Sequence, residues 1–232
     1  MLSSRLCAAA AFARPGAFAC DVGTDHAYLP IHLVGEGISR GAVASDIHRG
    51  PLDRAQRNIA SAGLSDRITT VLSDGLAGLD AYPTEDIFIL GMGGELIARI
   101  LSASELPRRP GTRLILQPMT HAADLRAMLA REGFRTVGET LVRDDLADRA
   151  GKTRIYQVLC AEYDRVPRTL TPAELVLGRE NIARGGELLA EYARFLCAVY
   201  RTRADGLAAA GRPADEELEL IRDLEEIIHD CK

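Results

Sequence analysis

The chain has 232 residues, 47% of them hydrophobic, and a formal net charge of −5, which is enough to bury one substantial core with a small appendage. No apolar run is long enough to cross a membrane, and Met1-Leu2-Ser3-Ser4-Arg5 lacks the pattern of a signal peptide, so a soluble cytoplasmic protein is expected. Cys7, Cys20, Cys160, Cys197 and Cys231 are scattered and never form a C-x-x-C pair, which points away from a disulfide framework and from a bound metal.

Apolar runs bounded by turn residues predict strands at 17–22, 42–47, 68–73, 87–90, 113–117, 136–141 and 155–160. Helical patterns fall between the early ones, at 28–35, 51–62, 95–102 and 122–131, each suited to a right-handed crossover. This rhythm predicts an α/β fold with a doubly wound, mostly parallel sheet. The last two strands are joined by a loop rather than a helix, so an antiparallel strand should finish the sheet. After Pro167 strand signals cease. Leu188, Leu189, Tyr192, Phe195, Leu196 and Val199, then Leu218, Ile221, Leu224 and Ile228, recur at helical spacing on either side of Gly211-Arg212-Pro213. The expected division is 1–163 for the α/β domain and 164–232 for a helical, coiled-coil-like hairpin.

Charge is segregated. Residues 99–154 carry eleven Lys or Arg against seven Asp or Glu, whereas 213–232 carry eight acids against two bases. A basic face can therefore coexist with an acidic tail.

Candidate site residues cluster at strand ends. Asp21-Val22-Gly23-Thr24-Asp25-His26-Ala27-Tyr28-Leu29-Pro30 closes the first strand and opens a helix, with Gly23 free to turn and Pro30 placed in the first helical turn. Asp46, followed by Ile47, ends the second strand at the spacing from which an acid reaches ribose hydroxyls. A dinucleotide site shares that feature, but Gly-Thr-Asp-His lacks the glycines of a pyrophosphate cradle, and Asp21 and Asp25 would repel one. A cofactor carrying a sulfonium and an ammonium, S-adenosylmethionine, turns those carboxylates into attractive partners. Asp74-Gly75 offers an acceptor for an adenine amino group, and Gly91-Met92-Gly93-Gly94 gives the fourth strand a close-approach edge.

These motifs, with Leu2-Ser3-Ser4-Arg5-Leu6, Gly50-Pro51-Leu52 and Leu114-Ile115-Leu116-Gln117-Pro118, run in order along nearly the whole chain, and together the chain resembles the TrmK family of bacterial tRNA (adenine-N1)-methyltransferases. The resemblance implies a class I methyltransferase domain (Rossmann-like) with a C-terminal helical domain, S-adenosyl-L-methionine as cofactor, and methylation of N1 of adenine 22 in tRNA. It assigns Asp21, Gly23, Thr24, Asp46, Ile47, Asp74, Gly75, Gly91, Met92 and Gly93 to the cofactor. Met119 stands where the family more usually has asparagine, and 145–152 is slightly expanded.

Asp25 is the first candidate for easing the charge that develops on the base, with His26 or Tyr28 orienting it. Arg99, Arg108, Arg109, Arg126, Arg131, Arg135, Lys152 and Arg154 are the expected phosphate contacts. A small-molecule methyltransferase and a catalytically silent tRNA-binding scaffold are the alternatives, and a nicotinamide dehydrogenase is the weakest rival. The oligomeric state is not legible, a monomer being the simpler expectation.

Overall fold

The computed structural model describes residues 2–147 and 153–231. Lys152, expected to contact RNA, lies outside them, as does much of the 145–152 stretch. The chain divides into two compact units, Met1–Arg168 and Thr169–Lys232.

The first unit is a seven-stranded sheet covered on both faces. Its strands are β1 (Phe18–Val22), β2 (Gly41–Asp46), β3 (Ile68–Leu72), β4 (Asp86–Gly93), β5 (Arg113–Thr120), β6 (Phe134–Ala147) and β7 (Thr153–Tyr163), in the order β3-β2-β1-β4-β5-β7-β6. The first five are parallel, and β7 runs antiparallel between β5 and β6. The expected doubly wound sheet with an antiparallel finish is thus present. Its strand order reverses between β1 and β4, and a ligand crevice opens at the carboxyl ends of strands at such a switch point.

Period-two alternation explains the two covered faces. Ile87 and Ile89 of β4 with Leu114 and Leu116 of β5 pack against Ile97, Leu101, Leu125 and Leu129 of the helices α4 (Gly94–Ser102) and α5 (Ala122–Arg131). Phe88 and Ile115 face the other way, joining Leu29 and Leu33 of α2 (Tyr28–Gly35) and Ala55 and Ile59 of α3 (Arg49–Ser61). Ala9 and Ala10 bring a further helix, α1 (Ser4–Ala10), onto this face. That helix has no counterpart in the sequence reading. Ser3 caps it, accepting from the Leu6 amide, but a short run of alanines gives no amphipathic period.

β4 also extends three residues past its predicted end, because Met92 and Gly93 still pair with Pro118 and Thr120, across register irregularities. The first unit closes five residues beyond the expected boundary at 163. The Asp164 and Arg165 amides donate to Gly133 O, and the Arg168 amide donates to Ala130 O, which ties 164–168 to the sheet unit.

The second unit is helical. A capping box on Thr171 and Glu174 starts α6 (Pro172–Leu177), followed by α7 (Arg179–Arg184). The long α8 (Glu187–Ala209) then pairs with α9 (Asp215–Asp230) as a hairpin, held by an Arg201–Glu225 ion pair and by Arg203–Glu217 at 2.8 Å. Among the described residues no helix is long and apolar enough to cross a membrane.

Candidate active site

Beyond β1 the chain turns at Gly23, with φ +76°, and the amides of Gly23 and Thr24 both donate to Ser45 O of β2, at 2.8 and 2.9 Å. Asp25 and Ala27 follow with φ of +46° and +57°, a conformation that costs non-glycine residues roughly 1–2 kcal/mol each. Strain of this kind persists where surrounding contacts over-determine the backbone. Here Asn58 Nδ2 donates to His26 O at 2.9 Å, and the His26 and Tyr28 rings stack at 5.2 Å with 13° between their planes. Tyr28 is 55% exposed, so its ring is presented outward rather than packed.

The two acids of this corner differ in kind. Asp21 is buried, and Thr24 Oγ1 donates to its Oδ2 at 2.6 Å. Burial pushes its carboxyl up to about 6; the Thr24 hydrogen bond opposes that rise and the charge of Asp46 adds to it. Asp25 is exposed and already engaged, with Arg54 Nη2 at 2.9 Å from Oδ1 and His26 Nε2 at 3.3 Å from Oδ2.

The neighbouring strand ends carry the other predicted cofactor residues. Asp46 Oδ1 accepts from the His48 amide at 2.9 Å, and Ile47 beside it is 54% exposed. Ser73 folds the third corner by donating to Gly75 O and Ala77 O, leaving Asp74 exposed. At the fourth corner a Cβ on Gly23 would stand 2.3 Å from Met92 Cε, so the first and fourth corners are in contact. A Cβ on Gly94 would stand 2.3 Å from His121 O, which explains glycine where β4 passes into α4. His121, itself at φ +56°, bonds Asp124 through Nδ1 at 2.9 Å; that bond and the charge of Glu95 hold its pKa above the ordinary value.

Two side chains the sequence reading did not assign complete the site. Arg5 on α1 donates Nη1 to Gln117 Oε1 at 2.8 Å, and the same oxygen accepts the Gly91 amide at 3.1 Å. Gln117 is wholly buried, and its amide nitrogen donates to Pro118 O and to Met119 Sδ at 3.5 Å. A polar residue inside Leu-Ile-Leu-Gln-Pro is the one sequence signal of this arrangement. A cleft of about 400 Å³ is lined by Arg5, Asp21, Gly23, Asp25, His26 and Tyr28, among others. Its buried carboxylate, its turning glycine and the apolar walls of Leu6, Leu29 and Leu90 fit a cationic cofactor with an apolar body.

The predicted phosphate contacts are not gathered around this cleft. Arg126 is buried, its Nε 2.6 Å from Glu139 Oε1 and its Nη2 bonded to Gln157; it ties α5 to the β6–β7 hairpin and is withdrawn from any RNA role. Arg113, Glu162 and Arg135 share one register row at the amino end of β5, the end of the sheet opposite the cleft. Arg108, Arg109 and Arg131 also belong to that end, and carboxylates engage all four of the predicted group there: Arg108 and Arg131 by Glu132, Arg109 by Asp80, and Arg135 by Glu162 and Asp164. Arg154 begins β7 at the cleft end, and Arg99 is exposed on α4. Arg49 and Arg54, at the start of α3, stand at the cleft end and were not foreseen.

Sheet order, antiparallel finish and the acidic strand-end cleft define a class I, Rossmann-like methyltransferase. A family described as a methyltransferase domain matches residues 2–159. The chain is 38% identical over 161 residues to the tRNA (adenine(22)-N(1))-methyltransferase of Bacillus subtilis, a stretch covering 69% of this chain and 65% of that protein. Its fold matches the crystal structure of Streptococcus pneumoniae Sp1610 in complex with S-adenosyl-L-methionine, with a TM-score of 0.82, 31% identity, and 99% and 100% of the two chains covered. The crystal structure of the B. subtilis M1A22 tRNA methyltransferase TrmK also matches with a TM-score of 0.82, at 29% identity over 98% of this chain and 99% of that one. The chain belongs to the TrmK family.

Proposed function

We propose that the protein transfers a methyl group from S-adenosyl-L-methionine to N1 of adenine 22 in tRNA, in the cytoplasm. The observation that carries this reading is the joining of buried Asp21, the Gly23 turn and the stacked His26–Tyr28 pair in one cleft beside the glycine edge of β4. When bound, the donor supplies a methyl group on a positively charged sulfur. Asp21 faces its ammonium, Asp46 its ribose hydroxyls and Asp74 its adenine amino group, while Ile47 covers the apolar body.

The target adenine presents an in-plane lone pair at N1, so no residue has to remove a proton before attack, and the protein's main contribution is positioning. N1 is on the Watson–Crick edge, so the base has to leave its stack, at a cost of a few kcal/mol. The exposed Tyr28 ring, backed by His26, offers a face on which the extruded base can stack. Methylation leaves a cation on the ring, and Asp25, held by Arg54 and His26, supplies the nearby negative charge that favours it. The RNA approaches over Arg49, Arg54 and Arg154 at the cleft end.

Incubation of unmodified tRNA transcript with protein and donor, followed by nucleoside mass spectrometry and site mapping, tests the reading. 1-Methyladenosine at position 22 is expected; turnover of small molecules without RNA, or no methylated nucleoside, overturns it.

A further inference from the structure

β4 and β5 fall out of step just where β4 reaches the cleft. Leu90 opposite Gln117 and Gly93 opposite Thr120 share a single register, but between them Met92 lies opposite Pro118, one residue out. A bulge of this kind leaves one residue unpaired and re-aims the side chains beyond it. Gly91 is that residue on β4, at φ +76°, and Pro118 beside it brings no N–H to the ladder.

The bulge exchanges two side chains between the faces of the sheet. Up to it, Ile87 and Ile89 point towards α4 and α5, while Phe88 and Leu90 point towards α1 and α2. Unbroken alternation would send Met92 the way of Leu90, which lines the cleft. Instead Met92 packs with the cluster of Ile87 and Ile89. The position that faces α1 at this level is Gly91, where a Cβ would stand 2.8 Å from Arg5 Nη1. Because the register is the same on both sides of the bulge, a return to regular pairing would bring the methionine over the cleft without moving the rest of either strand. Gln117 opposes that return. It is wholly buried, its Oε1 accepts the Gly91 amide at 3.1 Å and Arg5 Nη1 at 2.8 Å, and its Nε2 donates to Pro118 O at 3.1 Å, so one side chain holds both strands of the bulge.

We propose that Gln117 is a positioning residue for methyl transfer: by clamping Gly91 it keeps the Met92 side chain out of the space past Leu90 that the target base enters, an inference that rests on the function proposed above. The donor contacts proposed there run from Asp21 along the ends of β2 and β3. The space past Leu90, on the wall that Leu90 shares with Tyr28 and Leu29, therefore falls to the base.

Single-turnover methylation of tRNA at saturating donor, with calorimetric titration of S-adenosylhomocysteine on the same full-length proteins, tests the proposal. Gln117→Met, of similar length but without the amide, should slow methyl transfer by about 10- to 100-fold, the scale of a small misplacement of reacting groups, and leave affinity for S-adenosylhomocysteine nearly unchanged. In a Met92→Ala background, where no long side chain can swing over the cleft, the same substitution should slow transfer only a few-fold. A purely structural role for Gln117 predicts the same loss in both backgrounds, and that result overturns the proposal, as does full-rate transfer by Gln117→Met or an equal fall in cofactor affinity. If Gln117→Met does not fold, amide exchange in the unaltered protein decides. The Gly91 N–H should be protected by about 100-fold or more relative to an open chain, and exchange at the open-chain rate overturns the clamp. No transfer by the unaltered protein overturns the functional reading itself, and this proposal with it.

Discussion

Arg54 on α3 reaches back to the β1–α2 corner and holds Asp25 at 2.9 Å, so the carboxylate in contact with the ring that backs the proposed base stacking face is shared between Arg54 and His26. Both partners are about half exposed, and such pairs contribute roughly 0–1 kcal/mol to stability. The pair therefore serves geometry more than folding. Asp25→Asn should lower kcat by on the order of 10²-fold, at the low end for loss of an acid–base or charge-stabilising group, with little change in the thermal midpoint. Full turnover in that variant would mean that Asp25 only ties the corner together.

Asp21 links stability to binding with opposite signs. Its carboxyl is raised from 3.8 to about 6, so between these values the unfolded chain has lost a proton that the folded chain keeps, and stability falls as pH rises through this window. Above it the full penalty, about 3 kcal/mol from the size of the shift, persists in the ligand-free protein. Asp21→Asn keeps an acceptor for Thr24 and should raise the unfolding midpoint at pH 7.5. The same substitution should abolish tight cofactor binding. In the unaltered protein cofactor affinity should fall on acidification below pH 6, approaching tenfold per unit, and a flat titration curve would remove Asp21 from the ammonium's neighbourhood.

Charge reversal separates the two ends of the sheet. Arg49→Glu and Arg154→Glu should weaken tRNA binding several-fold at physiological salt and flatten its salt dependence by about one phosphate contact each. Arg109→Glu, at the opposite end beside Asp80, should leave tRNA affinity nearly unchanged. Filter binding over a salt series distinguishes these outcomes, and a larger effect at Arg109 would move the RNA to the other end of the molecule.

The strand ends were readable because glycine, proline and acidic residues punctuate them, and each such corner has a local backbone reason visible in the sequence. Asp21, Gly23 and Asp46 therefore sit where their spacing put them. What the sequence could not convey was long-range pairing. Arg126 looks like any surface arginine on a helix, and only the packing of α5 against the β6–β7 hairpin shows that Glu139 and Gln157 receive it. Arg5 belongs to an alanine-rich helix with no amphipathic signature, and its hydrogen-bond partner, Gln117, lies 112 residues away in β5. The basic count over 99–154 was correct as charge but silent on direction, since β5 and β7 run opposite ways and send their arginines to opposite ends.

Gly94 and Gly23 are both crowded, but against different neighbours, and substitution should separate them. At Gly23 an added Cβ meets the tip of the Met92 side chain, which can move, so Gly23→Ala pays mainly the left-handed backbone cost of roughly 1–2 kcal/mol. At Gly94 the Cβ meets the backbone carbonyl of His121 at 2.3 Å and the Thr120 oxygen at 2.9 Å, neither of which can swing aside. Gly94→Ala must push the end of β4 away from the exit of β5, a strain typical of overpacking at about 1–3 kcal/mol or more. Because that shift opens the edge where the reacting groups meet, Gly94→Ala should reduce kcat far more than cofactor affinity, whereas Gly23→Ala should reduce cofactor affinity first. Paired calorimetry and single-turnover rates on the two variants check this, and the reverse pattern would place the reacting edge somewhere other than the β4–β5 junction.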